Sequence, residues 1–311
     1  MARSHSLLYL MILPAVLFPN SLRADDFDIR DIELDKSSFH SQEYCRDFHS
    51  VYYSDDDAME RRKKAQRKLF SDIGSAAENM FSDAVHIYSA PSRISTTDAL
   101  WLGGIIAAGG IIYIYDQEIY DIFQRNRDNE VMKEISEAGE FFDEIGHGGR
   151  SAKYYIAILA FGYVSGIDKL VQIPAEILES YYVAGLIKVA ANRLLGRRRP
   201  NEELGPRYFE LNGGTSFPSG HAANVSQVAT ILSRHIDFLP FKIAAYTAVG
   251  TVCVQRLTSE SHWPSDVYFA VVYGWAVSNE IFRLNRERRM NLQPAALGAD
   301  NIPGLIISFK F

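Results

Sequence analysis

The sequence predicts an all-α protein: a six-helix bundle core preceded by an irregular, acidic N-terminal segment. Three observations carry that expectation. Apolar segments of helical length recur between residues 99 and 284. None of the period-2 alternation that marks a half-buried strand lies between them. Of the 311 residues, 47% are apolar, enough to bury one large core or two modest ones. The formal net charge of −6 has the wrong sign for a general nucleic-acid binder, whose footprint is basic.

Residues 1–24 read as an export signal. Arg3 supplies the charge, LLYLMILPAVLF the apolar core, and Ala24 a small residue before an acidic run. The apolar run is short for a span and contains Pro14, so an uncleaved membrane anchor is the second reading. Residues 25–97 form an acidic, partly irregular region. DDFDIRDIELDKSS and YYSDDD carry its charge, and MERRKKAQRKLF follows as a basic run of helical propensity.

The helical domain spans 98–284. Its six segments are ALWLGGIIAAGGIIYIY near 99–115, YYIAILAFGYVSGI near 154–167, AEILESYYVAGLIKVAANRLL near 175–195, AANVSQVATILSRHI near 222–236, FKIAAYTAVGTVCVQRL near 241–257 and SDVYFAVVYGWAVSNEIFRL near 265–284. The polar stretch between the first two is also helical in period and ends in glycines. A helical bundle accommodates these elements. None of the six reaches the about 18 uninterrupted apolar residues that mark a confident span. Glu176, Glu179, Asn224 and Gln227 interrupt them, so core helices of a water-soluble bundle read equally well. Cys253 sits in an apolar run and reads as a buried small hydrophobe; its spacing from Cys45 fits no metal site. The tail, 285–311, ends in GLIISFKF, which alternates like a short strand. One strand cannot close a barrel, so it is expected to pack on the body.

Three polar clusters lie at helix boundaries. NRLLGRRRP ends the third segment, and Pro200 disfavours helix at the residue before it, so the arginines are expected to project from a frayed end. Cations there also simply suit the helix dipole. In SFPSGHAANVSQ, Ser219 reads as an N-cap, which puts Gly220 and His221 in the first turn. Backbone N–H groups there lack partners and favour phosphate. In QRLTSESHWPSD, Arg256 is followed by His262 and then Asp266, with Pro264 at the first helical position. A carboxylate that accepts one imidazole proton fixes the tautomer and leaves the other nitrogen nucleophilic. A capping Asp beside a surface histidine is the plainer alternative.

Together the clusters hold fixed cations (Arg199, Arg256), anion-facing donors (Ser219, Gly220) and two histidines of different environment. That inventory suits phosphoryl transfer through a covalent phosphohistidine. His262 attacks phosphorus while arginines and N–H groups stabilise the equatorial oxygens. His221 protonates the leaving oxygen and then activates water. The chemistry calls for no metal.

Arg199-Pro200, Pro218-Ser219-Gly220-His221 and Arg256-x5-His262-x3-Asp266 resemble, in order and spacing, the type 2 phosphatidic acid phosphatase and vanadium haloperoxidase superfamily. The resemblance covers about residues 99–284 and implies that family's six-helix core. It implies His262 as nucleophile, Asp266 as the residue that orients it, and His221 as acid/base. Arg199, Ser219, Gly220 and Arg256 become the implied phosphate ligands. Two departures stand out: Asn192 occupies the position of the family's motif Lys, and Gln255 that of a usual Ser. Arg193, adjacent, and Lys188, one helical turn back, are the candidate substitutes for the missing cation.

The expected function is a metal-independent phosphatase acting on a phosphate monoester or a lipid phosphate or pyrophosphate. The alternatives are a vanadium-dependent haloperoxidase, the one reading that brings a cofactor (vanadate), and a catalytically weak lipid-phosphate-binding protein. The expected partner is a phosphorylated small molecule or lipid, with membrane association open and no nucleic acid. If residues 25–98 are exported and all six helices span, the catalytic helix ends face the cytoplasm, opposite to the family's usual arrangement. Either one helix does not span or the bundle is exported. A periplasmic location, soluble or membrane-associated, is therefore expected, with an integral membrane protein as alternative.

Overall fold

The computed structural model describes residue 71 and residues 74–292. The described residues all belong to one compact unit of the chain. The export signal, the acidic run 25–57, the basic run near 59–70 and the GLIISFKF strand lie outside them.

Among the described residues every long element is an α-helix, as the periodicity predicts. In chain order they are α1 (74–88), α2 (Thr96–Ile114), α3 (Asp116–Asn126), α4 (Glu130–Gly146), α5 (Gly148–Ser165), α6 (Asp168–Leu195), α7 (Gly220–His235), α8 (Leu239–Thr258) and α9 (Pro264–Leu292). The six apolar segments are α2 and α5–α9, and the polar stretch forms α3 and α4. Two bounds differ from expectation. α6 begins at Asp168, a first-turn acid that suits the dipole, and continues through Pro174. α9 runs past residue 284 to Leu292, because Asn285, Arg288 and Arg289 find acids on α6 and α1. Residues 74–88, within the region read as partly irregular, are helical because Ala84 packs with Val183, Ala184, Val277 and Ile281.

Helix α7 is the axis of the bundle, packed against α6, α8, α9 and α4. Its sequence explains the placement. Ala222, Ala223, Val225, Val228, Ala229 and Ile231 are buried, and the small ones let neighbouring helices approach closely. Among its buried polar groups, Ser226 Oγ donates to the Val271 carbonyl at 2.9 Å, and Gln227 Oε1 accepts from Ser180 Oγ at 2.9 Å. Glu176 and Glu179, which interrupt the apolar run of α6, are buried as well. Glu176 accepts from Arg289 at 2.7 Å and pairs with His235, and Glu179 accepts from Asn285. Cys253 is a free thiol, half-buried rather than fully buried, against Ala222 and Val225 neighbours.

Among the described residues, α2 alone is long and apolar enough to cross a membrane. It is also nearly unburied: Leu100, Trp101, Leu102, Ile106, Ile111 and Ile114 are all exposed. Ser95 caps it, accepting from the Asp98 N–H while Asp98 reaches back to the Ser95 N–H.

Candidate functional site

The site forms where four helix ends meet. Ser219 caps α7 with an extended backbone (φ −66°, ψ 115°), its side chain accepting from the Ala222 N–H at 3.5 Å. Its own N–H donates to the Asp266 carbonyl at 3.2 Å, tying the start of α7 to the start of α9. Gly220 and His221 therefore occupy the first turn, where N–H groups lack intrahelical acceptors and the dipole is positive. A Cβ on Gly220 would lie 2.6 Å from Lys188 Nζ, so that ammonium rests on the backbone of this turn. Burial, and then the Arg199 charge, lower the Lys188 ammonium below its ordinary value. Arg193, by contrast, is exposed at the end of α6. Of the two candidate substitutes for Asn192, only Lys188 is placed at the α7 start.

His262 lies in the loop before α9 and is 2% exposed. Its Nδ1 is 2.7 Å from the Ser216 carbonyl, which can only accept. Nδ1 therefore donates, and Nε2 is the unprotonated nitrogen of the neutral ring. Burial first, then Arg199, hold this imidazole well below its ordinary range, with Arg256 and His221 adding to them. The sequence reading made Asp266 the proton acceptor for this ring. Instead its nearer oxygen lies 3.9 Å from Nδ1, because its lone pairs are committed elsewhere. Asp266 accepts from Arg197 Nη1 at 2.6 Å, from Ser216 Oγ at 2.5 Å and from the Trp263 N–H at 2.9 Å. It fixes the loop that holds His262 rather than the ring itself. Burial raises its carboxyl above the ordinary aspartate value, with Arg197 and Ser216 opposing.

Arg197 departs most from expectation. The sequence predicts that the arginines following α6 project from a frayed end, but Arg197 is 1% exposed. α6 ends at Gly196 in the left-handed region (φ 57°), and Arg197 then pairs with Phe209 in an isolated antiparallel bridge. That reversal turns the side chain inward. Its guanidinium bridges Asp266 and Asp116, each at 2.6 Å, and donates to the Pro206 carbonyl. The Tyr113, Phe209 and Trp263 rings surround it, with centroids 5.2–5.7 Å away. Asp116, the first residue of α3, also accepts from the Ser265 N–H and Oγ. Arg198 points the other way, to Glu202 and Glu210.

His221, 26% exposed at its side chain, has its Nε2 3.6 Å from Asp143 of α4. Asp143 also forms an ion pair with Arg256, 2.9 Å from Nη2. His147, at the α4–α5 junction, sets its ring edge-on to His221 with centroids 5.7 Å apart. Burial, and then the Arg256 charge, push the His221 imidazole down to about 4; Asp143 opposes them, and His147 and Lys188 add to them. Burial also lowers Arg256, again opposed by Asp143.

The structure thus brings together His221, His262, Asp266, Arg199, Arg256, Ser219, Gly220 and Lys188, and leaves Arg193 outside. Sequence reasoning missed Arg197, Asp116, Ser216, Asp143 and His147. Their only sequence signals were a polar, glycine-rich end in DEIGHGG and acids flanking apolar segments. Among the described residues no cluster of three or more His, Cys, Asp or Glu side chains is arranged to hold a metal ion. Chemically, the pocket offers two neutral imidazoles beside three cationic side chains and the donor end of a helix.

The sequence pattern of the PAP2 superfamily matches residues 174–290, from within α6 through most of α9. That stretch carries all three motifs, and over it the resemblance to the PAP2 superfamily is shown. A crystal structure described as the first transmembrane PAP2 type phosphatidylglycerolphosphate phosphatase from Bacillus subtilis is similar in fold. It superimposes with a TM-score of 0.45 at 17% identity, covering 59% of this chain and 95% of that one. No curated protein sequence matches.

Proposed function

We propose that this protein is a phosphatase of the PAP2 type, hydrolysing a phosphate monoester or a lipid phosphate or pyrophosphate through a phosphohistidine at His262. The observation that carries the reading is the environment of His262. Its Nδ1–H is held by the Ser216 carbonyl at 2.7 Å, so Nε2 keeps its lone pair, beside Arg199, Arg256 and His221.

In the first step His262 Nε2 forms a bond to phosphorus. The bond from phosphorus to the leaving oxygen breaks, its electron pair stays on that oxygen, and His221 supplies the proton. Arg199, Arg256, Lys188, the Ser219 hydroxyl and the Gly220 N–H take the charge on the equatorial oxygens. In the second step water attacks phosphorus and gives its proton to His221, and the P–N pair returns to Nε2. Burial holds His221 neutral, and the Arg256 and Lys188 cations add to it against the opposing Asp143 charge. A bound phosphate cancels their charge and raises the imidazole toward the protonated form that the first step needs.

A lipid substrate fits the placement of α2. Its exposed apolar length ends at Ile114, two residues before Asp116, which pairs with Arg197. A helix lying in lipid would deliver the membrane surface to the edge of the pocket. On this reading the protein is membrane-associated through α2, and export to the periplasm rests on the signal-like residues 1–24.

The test is phosphate release by the purified full chain from phosphatidic acid, isoprenyl pyrophosphate and an aryl phosphate, with a chelator present. Release that disappears in His262→Ala is expected. Release unchanged in that variant, or halide oxidation with vanadate and no phosphate release, overturns the reading.

A further inference from the structure

We propose that Asp143 is a positioning residue for His221: held against it by the C-terminal edge of α4, Asp143 keeps that imidazole oriented and protonated toward the leaving oxygen. The inference rests on the function proposed above and adds an element that none of the three motifs contains.

Gly139, Asp143 and Gly146 are related by i, i+4 and i+7, so they share a face of α4. A Cβ at residue 139 would lie 2.2 Å from the Thr251 carbonyl and 2.6 Å from Gln255 Cβ. The α4 backbone therefore lies directly on α8, one turn before Arg256. A Cβ at residue 146 would lie 3.1 Å from both Cβ and Cδ2 of His221, so α4 also lies directly on the first turn of α7. Asn224 reinforces that contact by donating to the Gly146 carbonyl at 2.8 Å. Asp143 stands between these two close approaches. It is the carboxylate that reaches both Arg256, at 2.9 Å, and His221 Nε2, at 3.6 Å.

Charge gives the placement its purpose. His221 faces Lys188 from α6, Arg256 from α8, His262 from the loop before α9, and His147 from the α4–α5 junction. Every one of these is a cation or an imidazole, and Asp143 is the anion set against them. Of the groups acting on His221, Asp143 raises its affinity for a proton, while Arg256, His147 and Lys188 lower it. Arg256 keeps donors for an anion. Its Nε donates to Gln255 Oε1 and its Nη2 forms the ion pair with Asp143, which leaves Nη1 for an anion. Asp143 can thus orient Arg256 and still serve the histidine.

The experiment compares wild type, Asp143→Asn and Asp143→Glu by kcat/KM against pH, on an alkyl phosphate and on p-nitrophenyl phosphate. An alkoxide leaves only with a proton, whereas p-nitrophenolate leaves without one. Asp143→Asn is expected to lose about 10–100-fold on the alkyl ester and less than about threefold on the aryl ester. Its alkaline limb should move to lower pH by about one pH unit, and Asp143→Glu should keep the limb in place. Equal loss on both substrates, an unmoved limb, or a Glu variant as impaired as the Asn variant overturns the inference. A second readout does not depend on turnover. In protein labelled at histidine, with saturating inorganic phosphate, the His221 imidazole should titrate at lower pH in Asp143→Asn; an unchanged titration overturns it. Failure of the phosphatase reading appears separately, as wild type that releases no phosphate.

Discussion

Replacing Arg197 with methionine would keep most of the side-chain volume and remove the one cation shared by two fully buried carboxylates. Asp116 and Asp266 are both 0% exposed, and each lies 2.6 Å from a different Arg197 nitrogen. Removing one partner of a buried ion pair costs about 3–5 kcal/mol, because the remaining charge stays desolvated. At about 2–4 °C per kcal/mol for a domain of this size, the midpoint of thermal unfolding should fall by about 6–20 °C. The pH dependence gives a second handle. Burial already raises the Asp266 carboxyl, and Arg197 is the largest opposing influence. Without it the folded-state value rises further above the unfolded one. A group raised in this way favours the folded state below its unfolded pKa and loses that advantage as pH rises through the folded value. The gap between Arg197→Met and wild type should therefore be widest near pH 8 and shrink toward pH 5. Circular dichroism melts across that range measure it, with Asp116→Asn/Arg197→Met as the partner variant expected to regain part of the loss. A midpoint shift under about 2 °C, or a gap that does not change with pH, would falsify the claim that this pair is a tightly compensated ionic core.

Lys188→Met should weaken inorganic phosphate binding by about 10–100-fold, the loss of one charge-assisted hydrogen bond, while Arg193→Met should change it less than about twofold; isothermal titration separates them. Asp266→Asn should leave His262 protonated at Nδ1, because the Ser216 carbonyl is the acceptor. Nitrogen-15 NMR of the imidazole reads that tautomer, and a switch to Nε2–H would show that Asp266 sets it after all. Trp101 is 73% exposed on α2, so its fluorescence should be quenched by brominated lipids in vesicles. Unquenched Trp101 would remove α2 as the membrane contact.

Much of the bundle was legible because periodicity is a local property. The repeat of apolar residues in α5, α7, α8 and α9 needs no knowledge of the rest of the chain. Pro264 as the first residue of α9 and Ser219 as the cap of α7 follow from the backbone demands of single positions. The bounds that slipped depended on partners. α9 runs to Leu292 because Asn285 and Arg289 meet Glu179 and Glu176 across the bundle.

The same division runs through the site. Motifs a few residues long were enough to pick out the candidate residues: two histidines, the arginines at helix ends and a capped first turn. Tertiary structure alone decided how they are wired. Arg197 and Arg198 are neighbours in sequence, yet one is locked between two buried acids and the other pairs with Glu202 and Glu210 near the surface. Lys188 rather than Arg193 reaches the α7 start because of the face of α6 on which each lies. Ser216 rather than Asp266 holds the His262 proton because Arg197 has already claimed the carboxylate. Hydrogen-bond acceptors are limited, and which donor reaches them first is a matter of three-dimensional neighbours that no spacing along the chain records.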